Sequence, residues 1–238
     1  MNLTHEERLS RIHLIEELDL SVSVIKHGLA ILQRSSAAQT RYFLFMLTLS
    51  TGIERLMKVL LCLHSLDSQG SFRSEQELKS FRHNLVRLKD EVVDKCFNAE
   101  SLRRPAVRED LDFIQNDALM NEVLETLSDF AMRDRYIYMD GINDPNADRE
   151  WLDTRWDRVE RMTMPEDASL SMVAEGRLDE YISYANRCIV ICLERFLRAL
   201  ARTVTLSGLS ADASSLGTGV WDFLMKHDED LGQTEYKI

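Results

Sequence analysis

The chain is poor in the residues that break regular structure. It holds 3 prolines and 9 glycines in 238 residues. Sandwich and barrel folds need frequent tight turns and use more of both, so they are disfavoured. A membrane span is also missing. The most apolar stretch, "YFLFMLTLSTGIERLMKVLLCLHSL", is broken by Gly52, Glu54, Arg55 and Lys58. A spanning helix needs about 20 predominantly apolar residues, so this stretch reads as a core helix and no membrane partner is expected. The N-terminus, "MNLTHEERLSRIH", lacks the apolar region of a signal peptide.

Several chemical motifs are missing too. There is no G-x-x-x-x-G-K-[ST] loop and no G-x-G-x-x-G, which argues against P-loop and Rossmann nucleotide binding. None of the 6 histidines has a glutamate three residues before it, which removes the Glu-x-x-His pattern of di-iron bundles. H-E-x-x-H is absent as well. Of the 4 cysteines, Cys62, Cys188 and Cys192 lie in apolar helical segments, where a reduced thiol behaves as a small hydrophobe. Cys188 and Cys192 are one turn apart but have no partner pair for zinc. These readings point to a cytoplasmic, reducing setting, with no metal and no cofactor. The net charge of -11 repels polyanions at long range and leaves only a local basic cleft as a route to nucleic acid.

What is present is helical periodicity. Thr4 and Glu7 form a capping-box pattern, followed by Leu14, Leu18, Val22, Ile25, Leu29 and Leu32 at three- and four-residue spacing. The pattern predicts a first helix over Thr4–Gln33, a break at "RSSAAQT", and a central helix over Arg41–Leu66 that is apolar almost all round. Further helices are expected over Glu75–Phe97, Val107–Met132 and Leu178–Leu206. Asp140-Gly141 and Asn143-Asp144-Pro145 read as turns, and "REWLDTRWDRVERM" as a short, solvated and partly packed helix. The expected fold is all-α: a single bundle of about five to seven helices over residues 1–206. Residues 207–238 read as a small-residue linker with a short docking helix.

Candidate chemistry follows from residue type and spacing. Glu54 and Lys58 are an i,i+4 pair in the most apolar helix, and such charges either pair with each other or line a cleft. His83 and Asn84 sit in "SFRHNLVRL", where the histidine is a capping or surface group, a cleft lining, or a weak catalytic candidate. Arg133, Arg135, Tyr136, Tyr138 and Asp140 lie together in "RDRYIYMD". Arginines interleaved with tyrosines can hold phosphates and stack on bases; a helix end with packed tyrosines is the alternative.

Three pieces in order, "TGIERLMKVLLCLHSL", "ELKSFRHNLVRLKDEV" and "FAMRDRYIYMDGI", resemble the HEPN superfamily of helical bundles, especially its bacterial defence and toxin–antitoxin members. The resemblance covers Arg41 to Leu206. It rests on a G-x-E-x-x-x-K core, a His-Asn-Leu helix and an Arg-Tyr…Asp element. It implies a HEPN-like fold and a homodimer. Many members are metal-independent RNases whose late Arg-x(4–6)-His motif is completed by dimerisation, with histidine moving a proton and arginine stabilising phosphate charge. Here the last helix carries Arg187, Arg195, Arg198 and Arg202 with no histidine at that distance. The spacing is met only by Arg8 and His13, in "RLSRIH". The resemblance therefore implies a catalytically degenerate module that binds an antitoxin-like protein partner, or a nucleotide or RNA. Its ligand candidates are Glu54, Lys58, His83, Asn84, Arg133, Arg135, Tyr136, Tyr138 and Asp140. The alternatives are an active RNase using Arg8, His13 or His83, and a structural dimerisation adaptor.

Overall fold

A capping box starts the first helix, α1 (His5–Gln33): the Thr4 hydroxyl accepts from the Glu7 amide at 3.2 Å and the Glu7 carboxylate accepts from the Thr4 amide at 2.7 Å. In this computed structural model the described residues are 3–36, 42–144, 152–206 and 208–237. The expected break at "RSSAAQT" falls largely outside them, as do Pro145 and Trp151. Helix α2 (Tyr42–Gln69) runs against α1, and the two are in closest approach at glycines. A Cβ on Gly52 would stand 2.6 Å from Ile25 Cγ1 and 2.9 Å from the Ile25 backbone nitrogen. A larger residue there forces the helices apart.

Two long helices expected from periodicity are each broken by a capping side chain. The Glu75–Phe97 segment divides into α3 (Glu75–Ser80) and α4 (Leu85–Cys96). Asn84 caps α4, its side-chain oxygen accepting from the Arg87 amide at 2.8 Å. Arg82, with φ 51°, supplies the left-handed residue of the turn between them. The Val107–Met132 segment likewise divides into α5 (Pro105–Asn116) and α6 (Ala118–Met132), because Asp117 caps α6 through the Met120 amide at 2.8 Å.

The next elements are α7 (Ile137–Asn143), α8 (Leu152–Arg161), α9 (Glu166–Ala174) and α10 (Leu178–Thr205), followed by α11 (Ala211–Leu216) and α12 (Trp221–Leu224). The chain is all-α, with twelve α-helices and no β-strand among the described residues, against the five to seven helices expected. Two of the added helices come from side-chain caps, which cut segments that hydrophobic spacing alone reads as continuous; α7, α9 and a second C-terminal helix are the others. Asp140-Gly141, expected as a turn, lies inside α7. Helix α8, expected to be solvated and only partly packed, buries Trp156 and Val159 completely, and the Trp156 ring centroid sits 4.5 Å from that of Phe45. No helix among the described residues is long and apolar enough to cross a membrane.

Helices α2 and α10 form the centre: α2 contacts α1, α4, α6, α8, α10 and α11, and α10 contacts α1, α5, α6, α8, α9 and α12. Residues 208–237 fold back over this centre and bury Ala213, Leu216, Val220, Phe223, Leu231 and Tyr236. Their anchor is Glu194, fully buried on α10. Its carboxylate accepts from the Tyr236 hydroxyl at 2.6 Å and the Gly232 amide at 2.5 Å, and pairs with Lys226 at 3.0 Å. A buried carboxylate is tolerated only with partners of this kind. On α10, Arg198 adds a contact to Asp228 at 2.5 Å and one to the Lys226 carbonyl at 3.0 Å.

Removing the anchor leaves Lys226 and Tyr236 buried without their partner. Glu194→Ala is expected to lower unfolding free energy by about 3–5 kcal/mol in denaturant melts. Limited proteolysis of the folded variant is expected to cut first after Gly208, whereas Tyr236→Phe, losing one hydrogen bond, costs only about 1 kcal/mol.

Candidate functional site

Glu54 sits on α2 one half-turn past Gly52, on the side that meets the α3–α4 turn, and is only 7% exposed. Both carboxylate oxygens are engaged: Lys58 Nζ reaches Oε1 at 2.7 Å and His83 Nδ1 lies 2.9 Å from Oε2. Because an ionised carboxylate only accepts, Nδ1 carries the proton and Nε2 is the imidazole atom left for other contacts. Lys58 Nζ also donates to the Arg82 carbonyl at 3.3 Å. The cluster therefore ties α2 to the strained turn before α4. The His83 side chain remains 47% exposed.

The other candidates lie in different places. Asn84 and Arg133 share a shallow hollow of about 320 Å³ with Arg87, Asp90, Glu125 and Asp129. Asn84 Oδ1 is already used as the α4 cap, and Arg133 reaches Asp129 at 3.3 Å. Three carboxylates facing two guanidiniums make a poor phosphate cradle. Arg135 follows in a 3-10 turn with its buried Nε unpaired, and Tyr136 is 66% exposed. Asp140 is half-buried on α7. Tyr138 is also carried on α7, and its side chain falls outside those described. No hydrogen bond or ion pair joins Arg135, Tyr136 or Asp140 to the Glu54 cluster among the described residues. Glu54, Lys58 and His83 converge; the remainder do not join them.

Arg8 and His13 are both exposed on α1. Five positions on a continuous helix set them about 140° apart around its axis. His13 lies 3.4 Å from Glu16. It also edges an apolar groove of about 350 Å³ between α1, α2 and α3, which Lys58 borders from the other side. No group of three or more His, Cys, Asp or Glu side chains is placed to hold a metal among the described residues. Burial pushes the Cys96 and Cys192 thiols up, away from the reactive thiolate.

One group escapes the spacing arguments. Glu160 on α8 is 4% exposed, and its carboxyl has no hydrogen-bond or ion-pair partner among the described residues. Burial, with Asp157 adding repulsion, pushes its pKa up to about 7. The clue lies in the sequence, since Glu160 is four residues from Trp156 and a core-facing tryptophan carries that position inward with it.

Set against known proteins, the chain matches no family model, no curated protein and no solved structure.

The raised Glu160 pKa has a defined consequence for stability. A carboxyl that binds its proton more tightly when folded loses stability as pH rises from its ordinary 4.5 to about 7. Glu160→Gln removes that loss. The variant is expected to melt above the parent protein at pH 8, by an equivalent of about 1–3 kcal/mol, with the difference vanishing near pH 4. Parallel thermal melts at both pH values check this.

Proposed function

We propose that the protein is a catalytically degenerate HEPN-like module that works through protein contact, as a homodimer, in a bacterial stress or defence system. The observation that carries this reading is the saturation of Glu54. Its two oxygens are taken by Lys58 and His83, while Arg133, one of the candidate phosphate ligands, reaches Asp129 elsewhere. A site built for RNA would leave cationic donors free to meet the backbone. The overall charge of -11 works in the same direction.

The outer face of α1 supports self-association. Leu9, Ile12 and Ile15 are exposed there, Leu9 and Ile12 on the side away from the buried stripe of Leu14, Leu18 and Val22 and Ile15 at its edge. In antiparallel pairing about Ile12, Leu9 meets Ile15 of a second copy, and Arg8 comes level with Glu16 of that copy. Apolar contact flanked by opposite charges is the usual pattern of helix pairing. Arg8 then serves assembly and not catalysis.

One observation favours an RNase as the second reading. The Glu54–His83 hydrogen bond orients an exposed imidazole, as a carboxylate does for a general base. The two readings separate in one set of assays. Under the proposal, sedimentation velocity shows a dimer that Ile12→Glu converts to a folded monomer. Labelled single-stranded RNA in low salt and EDTA is neither retained nor cut. RNA cleavage that disappears in His83→Ala overturns the proposal in favour of the enzyme, and a monomeric parent protein removes the homodimer.

A further inference from the structure

The cavity beneath α9 is separate from the Glu54 cluster and from the outer face of α1. It is a concavity of about 530 Å³ between α8, α9, α10 and the start of α2, within the usual size of small-molecule sites. Tyr42, Tyr181 and Ile182 line it, while Leu170, Val173 and Leu178 leave large apolar areas exposed along its walls. Glu160 lines it too. Its carboxyl is the polar group expected to be costly there, since it is 4% exposed and without a partner among the described residues.

The charge in the cavity selects the ligand. Among the described residues, Asp157, Glu160 and Glu166 line the cavity together with one cation, Arg161. Arg161 is 73% exposed and stands 4.0 Å from Asp157, so it leaves Glu160 uncompensated. An anionic ligand would meet three carboxylates. A divalent metal prefers six or more oxygen ligands, and no group of three or more His, Cys, Asp or Glu side chains is placed to hold one among the described residues. An ammonium group needs one carboxylate as a charge-assisted acceptor, and an apolar body attached to it would cover the tyrosine and leucine walls.

We propose that this cavity binds a small primary amine on an apolar body, the ammonium held by the Glu160 carboxylate and the body seated between Tyr181, Ile182 and Leu170. The site explains why an acid stands at a position that Trp156 carries into the core. Association stabilises the ionised carboxylate and offsets the cost of its burial.

The test uses 2-phenylethylamine as the probe and 2-phenylethanol as its neutral counterpart, titrated into the full chain at pH 8 by calorimetry. Saturable binding of the amine is expected, with the alcohol at least about tenfold weaker, the scale of one charge-assisted hydrogen bond. Glu160→Gln, close to isosteric, is expected to bring the amine to the level of the alcohol. Methyl-labelled NMR on the unaltered protein provides a second readout: the Ile182 methyl shifts with added amine and the Ile25 methyl, in the α1–α2 core, does not. Equal affinity for amine and alcohol, unchanged binding in Glu160→Gln, or an unmoved Ile182 signal would each overturn the proposal. Neither the dimer nor the RNA assays bear on this outcome.

Discussion

The close contact between α1 and α2 sets the positions of most other elements. Gly28 and Gly52 let the helix surfaces meet where side chains would collide: a Cβ on Gly28 would lie 2.7 Å from Leu49 Cγ, and one on Gly52 2.6 Å from Ile25 Cγ1. With α1 on one side, the remaining faces of α2 are left to α4, α6 and α10. Glu54 is carried just past the contact, into a zone where a charge must find partners. Lys58 from the next turn and His83 from the α3–α4 turn supply them. The turn in its left-handed conformation at Arg82 is held by the same group, through the Lys58 contact to the Arg82 carbonyl.

Buried acids in this bundle fall into two kinds. Glu54 and Glu194 are neutralised by two or three donors each, and Asp110 receives Arg202 at 2.9 and 3.0 Å. Each of these joins elements distant in the chain. Glu194 is the clearest, binding the C-terminal segment across about 30 to 40 residues through Lys226, Gly232 and Tyr236. Paired charges of this kind specify which surfaces dock, even where apolar residues of equal volume would match their stability. Glu160 has no such partner among the described residues. Within one fold, that contrast separates acids that build the structure from an acid placed to meet something outside it.

Legibility followed the range of the interactions involved. The α1 stripe and its capping box, and the all-round burial of α2, are readable because they depend on residues within two turns of each other. The Glu54–Lys58 pair is readable for the same reason. Its third member, His83, lies 29 residues from Glu54, and nothing in "SFRHNLVRL" announces that the imidazole meets a carboxylate on another helix. Asn84 and Asp117 broke two segments that hydrophobic spacing joined, since a single side-chain oxygen bonding a backbone amide outweighs a weak helical propensity. In α8 the dense charges of "REWLDTRWDRVERM" suggested solvent, whereas Trp156 packs on Phe45 and takes Glu160 inward.

The sequence by itself determined the helical class, the central place of α2, the first cap and one intrahelical ion pair. These rest on periodicity and short-range hydrogen bonding, which act before distant parts of the chain meet. Tertiary structure alone decided that His83 completes the Glu54 pair, that Arg133 faces carboxylates, that the C-terminal residues close on Glu194, and that Glu160 is buried at a cavity between helices. Each depends on which surfaces come together, and burial then decides whether a charge is paired, shielded or left available.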